Sequence, residues 1–475
     1  MKTPAVKFAF LFGFLFGLFL LSSSIIWGQK IDNYNIAAVE EAAQNDLKVS
    51  RAPGAMIAFV QNGRIVYQKP FGISNKKTKV PVNTETLFLT ASVTKIITTT
   101  ALLIACEKHS INVNTPIGDF LEYLSPQLSS ITIHQILSMN SGIIDYLPTK
   151  KTFKEDAKAY FEHYGDKLVS KELQSVFSYT NIGHVLAGSL LAEITGSTFF
   201  KAIQQLIFDP IKMESSTFYE NVAQLKGFNA GHKNGGRVKH ELTYPFIQPA
   251  ASMFSNVHDL SQFAICFMND GEINNRQVIS KSVIRKMSAS YTPLGVLHQY
   301  LGYPGSYYNY GLIGFNFRGI RFIGHPGESG SQNILFVMAP KYKAAFILMS
   351  NTGFYPFTNT FEKMVETFLP VEKNASKPVL QELDLNKYVG KYYKPNIHGS
   401  KDDVTEIRSR KKKIYIHLNE EDIYPLIPNG KDSFIYNNPT IKFPLEIAFY
   451  TDNNGVVKYL NHYWKTSVKK EQRKK

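Results

Sequence analysis

Thr90-Ala-Ser-Val-Thr-Lys95, followed by the apolar run 96–106, sets the frame for everything around it. A serine hydroxyl is a poor nucleophile at neutral pH; it needs a base within hydrogen-bond reach and donors for the oxyanion formed on attack. If a helix begins in this segment, Ser92 and Lys95 stand at i and i+3 on one face, and the helix N-terminus favours an alkoxide. An amine packed against residues 96–106 has its charged form disfavoured, which suits Lys95 to act as base. The spacing alone carries little, because Ser74, Ser409 and Ser467 are also followed by Lys three residues on. Ser92 stands apart through its setting, with strands upstream and a long apolar helix downstream.

Upstream, residues 54–60 and 64–67 are β-rich runs flanking Asn62-Gly63, the signature of a hairpin. Helical patterns cover 36–48, 94 to about 124, and 183–206, and strand-like runs return at 319–324, 333–338 and 344–349. Strands at both ends enclosing a helical middle predict an α/β domain over residues 35–370. The polar, irregular stretch 371–385 reads as a linker. Beyond it, short strands punctuated by Asn, Gly, Pro and Asp predict a small all-β domain, a sandwich or barrel, over 386–466, then a basic tail over 467–475.

The composition limits the function classes. The chain has 475 residues, 44% of them hydrophobic, enough for a large core and a smaller second domain. The net charge of +15 comes from scattered Lys and Arg, apart from residues 410–413 and 465–475, which read as solvated surface. No basic stripe with interleaved aromatics points to nucleic acid. Cys106 and Cys266 each lie among apolar residues and predict two buried thiols, and no Cys or His spacing suggests a metal site. Lys2 and Lys7, the apolar run 8–21 and Ser22-Ser-Ser24 give the order of a signal peptide over residues 1–28, hence a secreted or periplasmic protein, membrane-anchored if the segment is uncleaved.

Two further motifs follow Ser92. Ser178-Tyr-Thr-Asn181 leads into an apolar helix, and His325-Pro-Gly327 lies between strand-like runs. Each is weak alone: Tyr-x-Asn recurs at Tyr307, Tyr436 and Tyr459, and a lone His is commonly structural. Their order, however, resembles that of class C β-lactamases and their esterase and D-amino-acid peptidase relatives in the penicillin-binding-protein family. Residues 53–60, 136–142 and 249–255 with Asp259-Leu260 are similar to the family's opening strand, the loop after its first helices and the lead into a later helix. The segment 388–393 resembles the small β-barrel modules appended to many such hydrolases.

The resemblance implies a β-lactamase/DD-peptidase-like sheet flanked by helices with a helical subdomain, and a serine hydrolase acting on amide or ester bonds without metal or organic cofactor. Ser92 would attack the carbonyl, Lys95 and Tyr179 would move its proton, and Asn181 would orient Lys95 and a substrate amide. The backbone N–H groups of Ser92 and Glu328 would form the oxyanion hole. Penicillin-recognising members usually carry Lys-Thr-Gly or Lys-Ser-Gly where this chain has His325-Pro-Gly327. Proline offers neither hydroxyl nor backbone donor, and a histidine is only partly charged at neutral pH. The expected partner is a small-molecule or peptide substrate, cell-wall-derived peptides included. The rival reading is a non-turnover penicillin-binding receptor or an envelope binding protein of the same fold.

Overall fold

The Asn62-Gly63 pair turns the chain between β1 (Gly54–Gln61) and β2 (Arg64–Gly72). Both turn residues are left-handed, Asn62 at φ +50° and Gly63 at φ +79°, as a two-residue hairpin turn of matching twist requires. The computed structural model describes residues 34–470 except 228–230, 234–235, 238–242, 295–305, 354, 356, 373–383, 400–402, 431, 440, 442–443, 453 and 463. The expected signal segment, most of the expected linker and residues 471–475 lie outside the described residues.

Six more strands complete the sheet: β3 (Thr292–Pro293), β4 (Tyr307–Tyr308), β5 (Ile313–Phe317), β6 (Ile320–Glu328), β7 (Asn333–Ala339) and β8 (Ala344–Ser350). Their order is β3-β4-β5-β6-β7-β8-β1-β2, so the first hairpin closes onto the last strand, with Ala55 opposite Ser350 and Gln61 opposite Ala344. Successive side chains point to opposite faces, and both faces are covered. Met56, Ala58 and Val60 enter one core, and Ala55, Ile57 and Phe59 enter another.

The framing helices are α1 (Ile36–Ser50), α2 (Thr94–Lys108), α3 (Asn181–Thr195), α4 (Val257–Met268) and α5 (Thr358–Phe368). α1 and α5 cover one face, where Phe59 and Phe368 stack at 4.2 Å. α2, α3 and α4 cover the other. α2 is buried on nearly every side, including Lys95, which explains why its sequence lacks a polar stripe.

Two helices are shorter than their patterns suggested. α2 stops at Lys108, where Ser110 turns left-handed (φ +56°) and the Asn- and Pro-bearing stretch 112–116 begins. α3 stops at Thr195, capped by left-handed Gly196, and helix resumes at Phe199 after a break.

Among the described residues, the C-terminal region is one nine-stranded antiparallel sheet. Its strands are β9 (Gly390–Tyr393), β10 (Val404–Arg410), β11 (Lys413–His417), β12 (Ile423–Pro425), β13 (Ile427–Gly430), β14 (Ser433–Tyr436), β15 (Leu445–Thr451), β16 (Val457–His462) and β17 (Lys465–Lys469). The edge strands β12 and β13 are separated in sequence only by Leu426, so the sheet curls into a nearly closed barrel around Tyr388, Phe434 and Phe449. One expectation is corrected here: the basic tail does not begin at residue 467. Residues 465–469 form β17, paired on both sides with β9 and β16, and Thr466 and Ser467 are buried. The polar, lysine-bounded sequence Lys465-Thr-Ser-Val-Lys469 hid a strand whose two partners are both barrel strands.

Helix α3 crosses close to Pro249, since a Cβ on Gly188 would lie 2.3 Å from the proline ring. The carbonyl of Pro249 accepts from Thr98 and that of Ala250 from Lys95, so this crossing fixes an acceptor for Lys95. Gly188→Val is expected to lower unfolding free energy by about 1–3 kcal/mol through overpacking. A denaturant titration of both proteins measures it.

Candidate active site

Ser92 sits in a single 3-10 turn (Ala91–Val93) that runs directly into α2. A 3-10 turn aligns residues three apart, which aims Lys95 at Ser92. Ala91, before the serine, is held at φ +46° although it carries a Cβ, and it is buried by its surroundings. Ser92 itself retains accessible surface.

Three partners surround the Lys95 amine. It lies 3.2 Å from Ser92 Oγ, 2.7 Å from Asn181 Oδ1 and 2.9 Å from the carbonyl of Ala250. Burial is the main cause that pushes its pKa down to about 7; Asp145 acts against the shift and Lys465 reinforces it. A neutral amine has two N–H bonds and one lone pair. Asn181 Oδ1 and the Ala250 carbonyl can only accept, so they take both N–H bonds and leave the lone pair facing Ser92 Oγ.

Tyr179 approaches Ser92 from the other side, its hydroxyl 2.7 Å from Oγ. It lies on the segment before α3, whose N-cap Thr180 accepts from Gly183 N–H. Burial raises the Tyr179 hydroxyl far above its ordinary range, the bond to Ser92 only partly opposing this, so it remains a donor at neutral pH. The Lys95 amine also lies 4.9 Å from the Tyr179 ring centre.

Asn181, first residue of α3, is braced by an acid that the sequence did not single out. Asp145 accepts from the Asn181 backbone N–H at 2.6 Å and from its side-chain amide at 3.2 Å. The Asp145 side chain is only 9% exposed, and its charge is met by Lys465 Nζ at 2.5 Å. Burial alone would raise this carboxyl, but Lys465, the Asn181 N–H and Lys95 outweigh it and hold the carboxyl below its ordinary value.

His325 and Gly327 lie on β6, which packs against the serine turn. A Cβ on Gly327 would stand 2.1 Å from the carbonyl oxygen of Thr90, so only glycine permits this approach. Glu328, last residue of β6, is partly exposed. The expectation of a partly charged His325 is corrected. Its ring is buried, with Nδ1 2.6 Å from the carbonyl of Pro326 and Nε2 3.2 Å from the Tyr308 hydroxyl. A carbonyl can only accept, so Nδ1 carries the hydrogen and Nε2 accepts from Tyr308. Burial, then the nearby Lys95, pushes its pKa down to about 3, and the ring is neutral at physiological pH.

Ser92, Lys95, Tyr179 and Asn181 are therefore brought into direct hydrogen-bond contact, with Gly327 against the same turn and His325 beneath it. Sequence reasoning missed Asp145, Trp464 and Lys465. Trp464 belongs to the turn between β16 and β17; its carbonyl accepts from Tyr179 N–H at 3.2 Å, and its ring centre lies 5.3 Å from that of Tyr179. Both cysteines are free and buried elsewhere.

With Lys95 as the base for an attack by Ser92, acylation would need the neutral amine, and its rate is expected to rise with pH through about 7 and then level off. Tyr179→Phe removes the donor to Oγ and is expected to slow acylation by about 10²–10⁴-fold, read from single-turnover kinetics with an activated ester. Gly327→Ala is expected to slow it by about 10²-fold by displacing β6 from the turn, and an unchanged rate would refute the need for this close approach.

Comparison with known proteins places this geometry. A family model described as Beta-lactamase matches residues 39–365. Protein flp of Staphylococcus aureus is 25% identical over 248 residues, covering 49% of each chain. The chain thus spans about half the length of the curated relatives it matches first. Among solved structures, the octameric penicillin-binding protein homologue from Pyrococcus abyssi superposes with a TM-score of 0.65 at 22% identity, covering 92% of this chain and all of that one. SurE superposes with a TM-score of 0.69 at 17% identity, covering 91% of this chain and 99% of its own. These two share the fold, including the C-terminal barrel region, and the match over residues 39–365 means that the chain belongs to the Beta-lactamase family.

Proposed function

We propose that the protein is an exported serine hydrolase that opens an amide or ester through an acyl-enzyme on Ser92. The observation that carries this reading is the setting of the Lys95 amine: it lies 3.2 Å from Ser92 Oγ with two further acceptors, Asn181 Oδ1 and the Ala250 carbonyl, in reach, so that once neutral it can spend both N–H bonds on them and turn its lone pair to Oγ. On attack, the Oγ–carbonyl bond forms as the Ser92 proton passes to Lys95, and the Tyr179 hydroxyl donates to the developing alkoxide. The backbone N–H groups of Ser92 and Glu328 receive the oxyanion, a contribution of about 3 kcal/mol per donor in comparable sites. Lys95, now an ammonium, supplies the proton on which the amine or alcohol departs. Water then attacks the acyl group, giving a proton to Lys95, which passes it to Ser92 Oγ as the ester bond breaks and the acid product leaves.

The third motif argues about substrate. A buried, neutral His325 followed by Pro326 offers a substrate carboxylate no cation and no hydroxyl. That favours esters and amides without a carboxylate beside the scissile bond over penicillins. SurE has been solved with D-Leu, so amides of D-amino acids belong in any substrate panel. The charged, apolar and small-residue order of residues 1–28 supports export.

Purified wild-type and Ser92→Ala protein exposed to a fluorophosphonate probe and to a fluorescent penicillin test the proposal. Ser92-dependent fluorophosphonate labelling with weak or absent penicillin labelling is expected. No Ser92-dependent label from either probe would overturn the hydrolase reading, and penicillin label that persists for hours would favour a receptor.

A further inference from the structure

The C-terminal barrel does not merely sit beside the catalytic domain. The turn between β16 and β17 reaches back across the chain, and the Lys465 Nζ–Asp145 Oδ2 contact joins residues 320 positions apart. Three further bonds fix this turn and the start of β17: Trp464 carbonyl to Tyr179 N–H, Thr466 hydroxyl to the Phe177 carbonyl, and Lys465 ammonium to the Tyr179 carbonyl at 3.4 Å. Trp464 is held at φ +66°, a conformation that bulky residues rarely adopt, with its ring stacked toward His325 and against Tyr179. Such an outlier persists only where its surroundings impose it.

We propose that Lys465 is a positioning residue for the reaction: by neutralising Asp145 it keeps that carboxylate from holding a proton on Lys95, so that the barrel sets the charge state of the base. This rests on the reading of Lys95 as the base. Asp145 is separated from Lys95 only by Asn181, which it grips at two points while Asn181 Oδ1 accepts from the amine. An uncompensated carboxylate at that remove favours the ammonium, whereas a carboxylate already paired with a lysine exerts little net field. The other titratable groups facing this cluster do not change charge near neutrality. Tyr160 and Tyr179 are raised by burial, and His184 and His325 are lowered by it. Lys95 is therefore the group on which the Asp145–Lys465 pair acts.

The test is the pH dependence of Ser92-dependent fluorophosphonate labelling in the full chain. In Lys465→Met the acid limb is expected to move up by about one unit, read as a roughly tenfold slower labelling near pH 6, with the high-pH plateau retained. Asp145→Asn should move the limb the opposite way, Lys465→Arg should leave it in place, and the double variant Asp145→Asn/Lys465→Met should return it toward wild type. A folded Lys465→Met protein whose rate falls equally at every pH, or whose limb stays put, would overturn the proposal in favour of a purely structural turn. If Lys465→Met fails to fold, the uncharged double variant and Asp145→Asn still decide the matter, because limbs that coincide in those two refute the charge argument. Loss of Ser92-dependent labelling in the wild type would instead sink the hydrolase reading itself.

Discussion

Everything near the serine depends on burying one amine. Lys95 is enclosed on a helix with hardly any polar surface, and a buried ammonium is costly unless its charge is balanced or given up. The molecule does some of each. Two acceptors hold the amine, and a carboxylate behind Asn181 stops its pKa from falling further than about 7. A second lysine offsets that carboxylate. The surrounding structure serves this balance: the α3 crossing at Gly188 fixes the Ala250 carbonyl, the α3 N-terminus presents Asn181, and the 3-10 turn aims the serine.

The three-layer domain was legible in the sequence because its signals are local. Asn62-Gly63 announces a hairpin through the left-handed geometry that the turn demands, and the runs that became β6, β7 and β8 are continuous apolar stretches, as strands buried on both faces must be. Helix ends were less legible, since apolar content near Leu124 and Leu206 continues past the points where Ser110 and Gly196 turn the backbone. Ser92, Lys95, Tyr179 and Asn181 could be found because they stand in ordered motifs.

Asp145 and Lys465 could not be found that way. Each is a single charged residue whose meaning lies in a partner hundreds of positions away, and Lys465 opens a run of basic residues that looks like a solvated tail. An aspartate beside Ser141-Gly142 in an apolar neighbourhood was the one available hint, because acids are seldom buried without a counter-charge. His325 shows the reverse limit. Its presence was evident, but only the surrounding Tyr308, Pro326 carbonyl and Lys95 reveal that it is neutral and serves as packing.

The placement of β17 has a consequence for how the molecule matures. This strand comes last among those described, yet it is central in its sheet, bonded to β9 on one side and β16 on the other. As the chain emerges during synthesis, the N-terminal α/β domain can collapse around its own sheet before β17 exists. The barrel then closes only when its final strand inserts, a step of high contact order and hence slow. Until then Asp145 waits without its counter-ion, and the cluster around Ser92 is completed only once β17 has been made.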